Sequence, residues 1–338
     1  MILPFTATCR LITYVMLMLM AISLHAQDAQ FSQFYANPIY TNPAFAGTSK
    51  VGRLVLASRS QWAQIAGSYS TVNASYDEHF DVINGGIGIQ MHYDEQGIGK
   101  LRTTGIDVAY SYQIPITKSF TVRAALQAGF VQKSIDFGKL HWFDEIIARK
   151  GFLKASQEDL SKINSSLLYP NFAAGILGYS KNFYAGFAAH NLTEPAQTFF
   201  TNPLPDGKAF IQIPMKYTAN AGIILPLIVT NNKRRQANLY PNVIYMQQQQ
   251  FNQLNLGLFV SRGTFVAGLY FRQTSINSDA FIFFMGLRTP KVKIGYSYDA
   301  TVSEARYGAV NSHEVTLSFE MRKHIRHRKP RPMTCPDF

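Results

Sequence analysis

Bulky apolar residues alternate with small or polar residues through most of this chain, and this period of two constrains the fold more than any other feature. In residues 118–133, Leu126 and Phe130 share one face of a predicted strand, whereas Arg123 and Gln127 lie on the other. Successive side chains of a strand point to opposite faces of its sheet, so one face here is apolar and the other is small, polar or charged. The pattern predicts an all-β protein.

Fourteen segments show this alternation, and most are longer than the five or six residues usual in soluble sheets. A tilted strand crosses a bilayer in about 9–11 residues, which is the length that most of these segments have. We therefore expect about fourteen antiparallel membrane strands, at roughly 50–62, 68–80, 84–94, 100–114, 118–133, 171–180, 183–190, 215–226, 236–247, 251–261, 263–272, 279–289, 291–299 and 312–322.

The lengths of the connections alternate as well. The second, fourth, sixth, tenth and twelfth links are tight, whereas the fifth, seventh and thirteenth are long, at 134–170, 191–214 and 300–311. Short periplasmic turns on one rim and long outer loops on the other are typical of an outer-membrane β-barrel. A soluble β-sandwich would also alternate, but it has no reason to sort its loops in this way. The eighth link, 227–235, is a longer and basic exception.

A transmembrane barrel assigns the apolar face to lipid and the polar face to the lumen. Because the predicted lumenal set carries both signs of charge, we expect interior ion pairs there: Asn73, Gln90, His92, Asp107, Arg123, Gln127, Asn220, Asn255, Arg272, Lys293 and Glu320. Glycines recur in the middle of the strands, where they permit bends or the close approach of another backbone, such as an internal plug. They are Gly88, Gly129, Gly175, Gly186, Gly222, Gly257, Gly268, Gly286 and Gly295.

Residues 1–26 have the pattern of an export signal. Arg10 supplies the positive charge, and Leu11–Leu24 is an uncharged apolar run that is shorter than the ~20 residues needed to span a bilayer. Cleavage is expected near Ala26/Gln27, and a membrane anchor that is retained is the alternative. The sequence thus predicts export to the outer membrane.

Residues 27–49 are rich in aromatic side chains, yet two Asn-Pro pairs prevent them from forming a strand. Proline lacks the N–H that a ladder needs, and it biases the preceding residue toward a turn or extended conformation. Two interpretations remain open for this segment: a short helix packed under the barrel mouth, or a plug that docks in the barrel or binds a partner. A basic run at 322–331 is either a solvated tail or a site for an acidic periplasmic partner or lipid headgroups.

The sequence offers no recognisable catalytic chemistry. It has no HExxH or GxSxG motif, and its glycine pairs do not follow a strand and open a helix as phosphate-binding loops do. No cofactor or metal site is expected, and export argues against a nucleic-acid partner for the basic run. We therefore expect a non-enzymatic protein, with a hydrolase assembled across strands as a remote alternative.

The two ends of the mature chain carry a family resemblance. The sequence Gln30–Tyr35, Asn37-Pro38 and then Asn42–Gly47 resembles the N-terminal signature of the PorP/SprF family, and Cys335–Phe338 behind a basic run resembles that family's ending. These are outer-membrane proteins of the type IX secretion and gliding-motility machinery. The resemblance implies a fourteen-stranded barrel similar to FadL-type transporters.

The resemblance also implies a function and its partners. The barrel would anchor, display or help export surface adhesins with C-terminal sorting domains, and a periplasmic peptidoglycan-binding lipoprotein and outer-membrane lipid would contact it. A FadL-type transporter of hydrophobic or small solutes is the alternative. We expect a plug at 27–49, a barrel at 50–322 and a periplasmic tail at 323–338. The partner-binding candidates are Phe34, Tyr35, Asn37, Pro38, Asn42, Pro43, Phe45, Gly47, Arg326, Arg328, Cys335, Pro336 and Phe338.

Overall fold

A computed structural model describes residues 28–49, 51–64, 66–140, 142, 145–147, 151–152, 163–199, 212–229, 236–275, 278–302 and 311–321. These residues form a closed antiparallel barrel of fourteen strands, one of which is interrupted. The prediction of an all-β barrel is therefore confirmed. Among the described residues, none of the helices has the length and apolarity that a membrane crossing requires.

The strands follow the predicted segments closely. The barrel consists of β1 Gly52–Gln61, β2 Tyr69–Phe80, β3 Gly85–Gln96, β4 Leu101–Pro115, β5 Thr121–Ser134, β8 Ser166–Tyr179, β9 Phe183–His190, β10 Lys216–Ile223, β11 Leu225–Ile228, β12 Ala237–Gln248, β13 Phe251–Arg262, β14 Phe265–Thr274, β15 Ser278–Arg288, β16 Val292–Thr301 and β17 Ser312–Met321. Two further short strands between β5 and β8, β6 Ile146–Ile147 and β7 Gly151–Phe152, pair antiparallel with each other. The helical elements are α1 Pro38–Thr41 and the 3-10 turns Pro43–Phe45, Asp81–Ile83 and Phe137–Lys139.

Neighbours in sequence pair with each other, and two pairings close the barrel. β1 pairs with β17 over its whole length, from Gly52 opposite Met321 to Gln61 opposite Ser312. β10 pairs with both β9 and β12. We call the rim that carries the tight links, such as 81–84 and 263–264, the short-turn rim, and the opposite rim the long-loop rim.

The eighth barrel strand is interrupted where it meets a proline. Ile224 separates β10 from β11 and donates its N–H to the carbonyl of Asn182, at 2.7 Å, on the side away from β12. Extending the register from Gly222 opposite Asn242 places Ile223 opposite Pro241 of β12, which has no N–H to give to the ladder.

The sixth barrel strand begins at Ser166, earlier than the predicted residue 171. The predicted segment begins directly after Pro170, and proline is rare inside sheets. In the structure Pro170 pairs with Phe130 of β5, whereas β9 joins β8 only from Ala174 onward. Pro170 thus has a neighbouring strand on one side only, where its missing donor is tolerated.

The two faces of the barrel have the predicted chemistry. Leu126, Phe130 and Met285 are 69%, 65% and 62% exposed on the outside, whereas Arg123 and Asn255 are 2% and 0% exposed in the lumen. The predicted lumenal residues are buried or partly buried. Interior ion pairs also occur, and they include Arg272–Asp299 and Lys293–Glu320, each at 3.0 Å.

Candidate functional site in the barrel lumen

Residues 28–49, which we call the lumenal segment, run through the barrel from one rim to the other. Asp28 lies at the long-loop rim, where its carboxylate is 3.2 Å from the ammonium group of Lys216 and accepts a hydrogen bond from Asn191. Gly47 lies at the short-turn rim, where its N–H donates to Asp77 at 2.8 Å. Arg53 holds Asp77 in place through two hydrogen bonds, at 2.9 and 3.1 Å.

The electrostatics at Asp28 favour its charged form. Burial disfavours the carboxylate, but Lys216 and the amide of Asn191 outweigh that cost and lower the pKa of Asp28 below its usual range. The ion pair therefore fixes the first described residue of the lumenal segment to β10 and to the loop after β9.

A buried polar cluster binds the backbone at Ser32 and Gln33. The two oxygens of the Glu314 carboxylate accept the N–H groups of these successive residues, at 2.6 and 3.0 Å. Asp299 accepts the hydroxyl of Ser32 at 2.6 Å, and Arg59 lies 2.9 Å from Asp299 and 3.2 Å from Glu314. A second guanidinium, that of Arg272, lies 3.0 Å from Asp299. The two acids are therefore balanced by two arginines, and buried charges are tolerated when they are paired in this way. We call Arg59, Arg272, Asp299 and Glu314 the polar latch.

An aromatic cluster binds the next two residues. The Phe34 ring meets the Tyr270 ring edge to face at 5.8 Å, and the Tyr35 ring stacks on Tyr270 at 5.6 Å. Tyr35 also contacts Phe259 and Phe284, with ring centroids 5.2 and 5.3 Å away. Burial, followed by the influence of Tyr270 and the latch acids, raises the pKa of Tyr35 well above its usual value, so its phenol is neutral.

The first Asn-Pro pair starts the short helix α1. Pro38 occupies the first turn of Pro38–Thr41, where its missing N–H costs nothing. The Asn37 side chain does not cap the helix; it donates instead to Asn73 at 2.8 Å and accepts from Ser75 at 3.3 Å. The pair thus turns the backbone while the asparagine side chain binds β2.

The second Asn-Pro pair joins three elements. The side-chain oxygen of Asn42 accepts a hydrogen bond from the N–H of Ala44 at 2.8 Å, which caps the 3-10 turn Pro43–Phe45. Its amide nitrogen donates to the main-chain carbonyls of Ile176 and Phe187, at 3.1 and 3.2 Å. These contacts need one acceptor and two donors on a short side chain, which asparagine supplies and aspartate does not.

Lumenal glycines bring the barrel wall close to this segment. A Cβ added at Gly86 would lie 2.5 Å from the Cα of Gly47, which itself has a positive φ of 68°. A Cβ at Gly295 would lie 2.5 Å from the Gln33 side chain, and one at Gly88 would lie 3.1 Å from the Cβ of Ala46. The strand glycines Gly175 and Gly186 likewise face Asn42. Gly88, Gly175, Gly186 and Gly295 thus allow the close approach predicted for mid-strand glycines. Gly86, which was not among the predicted positions, does the same.

The structure buries the N-terminal partner-binding candidates in the lumen or partly buries them there: Phe34, Tyr35, Asn37, Pro38, Asn42, Pro43, Phe45 and Gly47. Their contacts are with the barrel wall, and binding of an external partner by them stays a prediction. Arg326, Arg328, Cys335, Pro336 and Phe338 lie outside the described residues. Within the described part of the chain, no group of three or more His, Cys, Asp or Glu side chains could hold a metal ion.

Sequence reasoning missed most of the polar latch, although a signal for it existed. The predicted inward set of the last strand, Thr316, Ser318 and Glu320, reaches Glu314 when the alternation continues one step back. Of the latch residues, only Arg272 was among the predicted lumenal residues. No local pattern, however, indicates that Glu314 binds Ser32 and Gln33, which precede it by 282 and 281 positions in the sequence.

Comparison with known proteins identifies the family. A family model described as type IX secretion system membrane protein PorP/SprF matches residues 23–319. The chain belongs to the PorP/SprF family. Family and fold together make it an outer-membrane barrel protein of the type IX secretion system.

Solved structures similar to this PorP/SprF protein share its fold. The Ralstonia pickettii toluene transporter TbuX matches with a TM-score of 0.50 and 8% identity, over 85% of this chain and 94% of the transporter. The P. putida toluene transporter TodX matches with a TM-score of 0.50 and 11% identity, over 84% and 94%. At these identities the likeness shows the fold alone, which is a FadL-like barrel. Comparison with curated proteins finds no match.

Proposed function

We propose that this protein is a non-enzymatic barrel that anchors, displays or helps to export sorting-domain surface proteins such as adhesins. In this proposal it couples them to a periplasmic peptidoglycan-binding lipoprotein, with the 323–338 tail as a contact. The single observation that carries the proposal is the filled lumen. The lumenal segment contacts the inner wall from Asp28 to Gly47, through the polar latch, the aromatic cluster and Asn42.

A filled lumen favours a role for the outer surfaces of the barrel over a role for its interior. Conducting porins keep a water-filled channel, whereas this interior is occupied by a segment of the same chain. The long loops on one rim and the basic tail after the last strand are then the surfaces available to cargo and machinery.

The direct test is surface display of a sorting-domain protein in cells that lack this barrel and are complemented with it. We expect protease-accessible cargo on the surface with the wild-type chain, and retained or lost cargo without it. Truncation after residue 322 separates the two halves of the proposal, because it should leave the barrel inserted but uncouple it from the periplasmic partner. Normal display of every sorting-domain protein in the deletion strain would overturn the proposal.

The alternative is a FadL-type transporter, and one observation favours it. A cavity of about 60 Å³ is lined by Tyr35, Phe259 and Phe284 together with charged side chains such as Arg53, so the lumenal segment does not fill all the space beside it. Transport predicts substrate-dependent uptake, and it predicts that deletion of 27–47 opens the lumen in planar bilayers. A barrel that stays closed after that deletion would contradict this alternative.

Two histidine–aspartate contacts occur among the described residues, His79–Asp81 and His92–Asp107, and neither histidine is hydrogen-bonded to a serine, threonine or cysteine nucleophile. His79 lies 3.3 Å from Asp81 at the short-turn rim, an arrangement that could orient an imidazole. Its other ring nitrogen faces the Arg123 guanidinium at 3.2 Å, where a hydrolase would need a nucleophile. These contacts give no support to a catalytic role for the barrel.

A further inference from the structure

A polar cavity of about 260 Å³ lies inside the barrel at the long-loop rim. The start of the lumenal segment forms one side, with Asp28 and Tyr40, and the inner faces of β3, β4, β5 and β8 form the other. None of the predicted partner-binding residues that the structure describes lines it, and the proposed function makes no use of it.

One carboxylate fixes the direction of two amides in this cavity. The Asp107 oxygens accept a hydrogen bond from the Gln90 amide nitrogen at 3.2 Å and from the Asn171 amide nitrogen at 3.4 Å. Because a carboxylate only accepts, both amides must present their NH₂ groups to it and turn their carbonyl oxygens away. The geometry therefore sets the orientation of both amides.

These carbonyl oxygens have no hydrogen-bond partner among the described residues, and neither does the carbonyl oxygen of Gln127. All three residues line the cavity, and Gln90 and Gln127 are only 5% and 4% exposed. Buried carbonyl oxygens are nearly always hydrogen-bonded in folded proteins. Three that are unpaired around one cavity indicate a site for a ligand rich in hydrogen-bond donors.

The charge of the lining selects among such ligands. Three carboxylates line the cavity against two ammonium groups. Asp28 is paired with Lys216 at 3.2 Å, so among the described lining residues Asp94 and Asp107 remain, with Lys133 as the other ammonium group. His92 lies 3.6 Å from Asp107, and His190 points to the carbonyl of Thr41. With the two histidines neutral, the described residues of the lining carry one excess negative charge.

We propose that this cavity binds a primary ammonium or guanidinium group. The carbonyl oxygens of Gln90, Gln127 and Asn171 accept its hydrogen bonds, and Asp107 supplies the opposite charge.

Two sources supply this chemistry at the long-loop rim. One is a lysine or arginine side chain of an exported polypeptide. The other is the α-amino group that cleavage before Gln27 would create, one residue from Asp28. The experiment distinguishes between them.

The test uses the full processed chain in detergent, titrated with butylguanidinium and, in parallel, with its neutral analogue butylurea. We expect isothermal titration calorimetry to show saturable binding of butylguanidinium. The affinity for butylurea should be at least tenfold lower. Asn171→Leu should weaken butylguanidinium binding about tenfold, because it removes one charge-assisted hydrogen bond. Gln127→Glu should tighten it by adding a charge while keeping the shape of the side chain.

Asn220→Leu is the matched control. It also removes a buried amide with an unpaired carbonyl oxygen, but outside the cavity, so butylguanidinium affinity should not change. If Asn171→Leu fails to fold, the Gln127→Glu result still decides the proposal.

The second arm measures acylation of the α-amino group by an N-hydroxysuccinimide ester. If wild type binds no butylguanidinium but its α-amino group is protected and becomes reactive in Asn171→Leu, the site holds the chain's own terminus. Butylurea binding as tightly as butylguanidinium would overturn the proposal. So would an absence of saturable binding combined with a freely reactive α-amino group.

Discussion

The polar latch and the aromatic cluster hold adjacent residues of the lumenal segment by opposite physics. Glu314 accepts the two N–H groups of Ser32 and Gln33, and each bond requires a particular backbone direction. Phe34 and Tyr35 pack against aromatic rings of the barrel wall, and such contacts are possible in several relative orientations. The cluster therefore supplies burial energy without a fixed register, and the latch fixes the register.

The two regions also respond differently to the loss of one partner. Removing one charge from a buried network leaves the others unpaired, which is more costly than the net worth of the network. Removing one ring leaves a cavity whose cost depends on how far its neighbours relax. The same segment should therefore be more sensitive to single changes in the latch than in the cluster.

Glu314→Leu should have the largest effect. It leaves buried Arg59 with Asp299 as its remaining carboxylate partner, and it removes the hydrogen-bond acceptor of the Ser32 and Gln33 N–H groups. We expect a loss of about 4 kcal/mol in the free energy of unfolding in phospholipid vesicles. Glu320→Gln is the control, because it breaks the more exposed pair with Lys293 and should cost less than about 1 kcal/mol. Equal effects of the two variants would remove the distinction between the latch and ordinary lumenal ion pairs.

Phe34→Ala should come next, with a loss of about 3 kcal/mol, since Phe34 is 5% exposed and packs on Tyr270. Phe34→Leu keeps most of the volume and should cost about 1 kcal/mol in the same vesicle titration. A loss for Phe34→Ala larger than that for Glu314→Leu would reverse the proposed ranking of the two regions.

Gly47→Ala tests whether the two clusters alone hold the segment. The added Cβ would lie 2.5 Å from the Cα of Gly86, at a backbone φ of 68° that non-glycine residues rarely adopt. We expect a loss of about 2 kcal/mol, measured by the same titration. Gly97→Ala is the control: its φ is 72°, but nothing lies within 4 Å of its added Cβ. Equal losses would assign the effect to backbone strain instead of to contact with the wall.

These regions also differ in how far the sequence predicts them. Alternation predicts that Arg123 and Asn255 face inward, because the side-chain period of a strand is fixed. Turn chemistry predicts that Asn37-Pro38 and Asn42-Pro43 break the strand pattern. The pairing of Glu314 with Ser32 is not predictable in this way, because only closure of the whole barrel brings the two together. The early start of β8 at Ser166 was missed because the tolerance of Pro170 depends on where a neighbouring strand ends.

Asp28→Asn probes the ion pair at the long-loop rim, outside both clusters. We expect a loss of about 1 kcal/mol at pH 7, because the pair with Lys216 is partly exposed. The pKa of Asp28 is lowered in the folded chain, so its contribution is present above about pH 4 and is lost as the pH falls through the lowered pKa. The difference between variant and wild type should therefore disappear in acid. A difference that persists at pH 2 would mean that the carboxylate charge is not what matters.

Tyr35→Phe should have the smallest effect at neutral pH and separates ring packing from polar contact within the aromatic cluster. The Tyr35 hydroxyl is buried and has no hydrogen-bond partner among the described residues, so its removal should change the free energy of unfolding by less than about 1 kcal/mol. The ring contacts with Tyr270 and Phe259 remain.

Alkaline pH then gives this variant a distinctive signature. Burial, with Tyr270 and the latch acids, raises the pKa of Tyr35 in the folded chain. The unfolded phenol ionises near pH 10, so the contribution of Tyr35 is full below that pH and falls above it. Tyr35→Phe has no phenol to ionise in the unfolded chain, so it does not lose this stability. It should become progressively more stable than wild type between about pH 10 and 11.5. Parallel pH profiles for the two proteins would mean that the hydroxyl reaches solvent. The aromatic cluster would then be wetter than its burial indicates, and its contrast with the polar latch would be smaller.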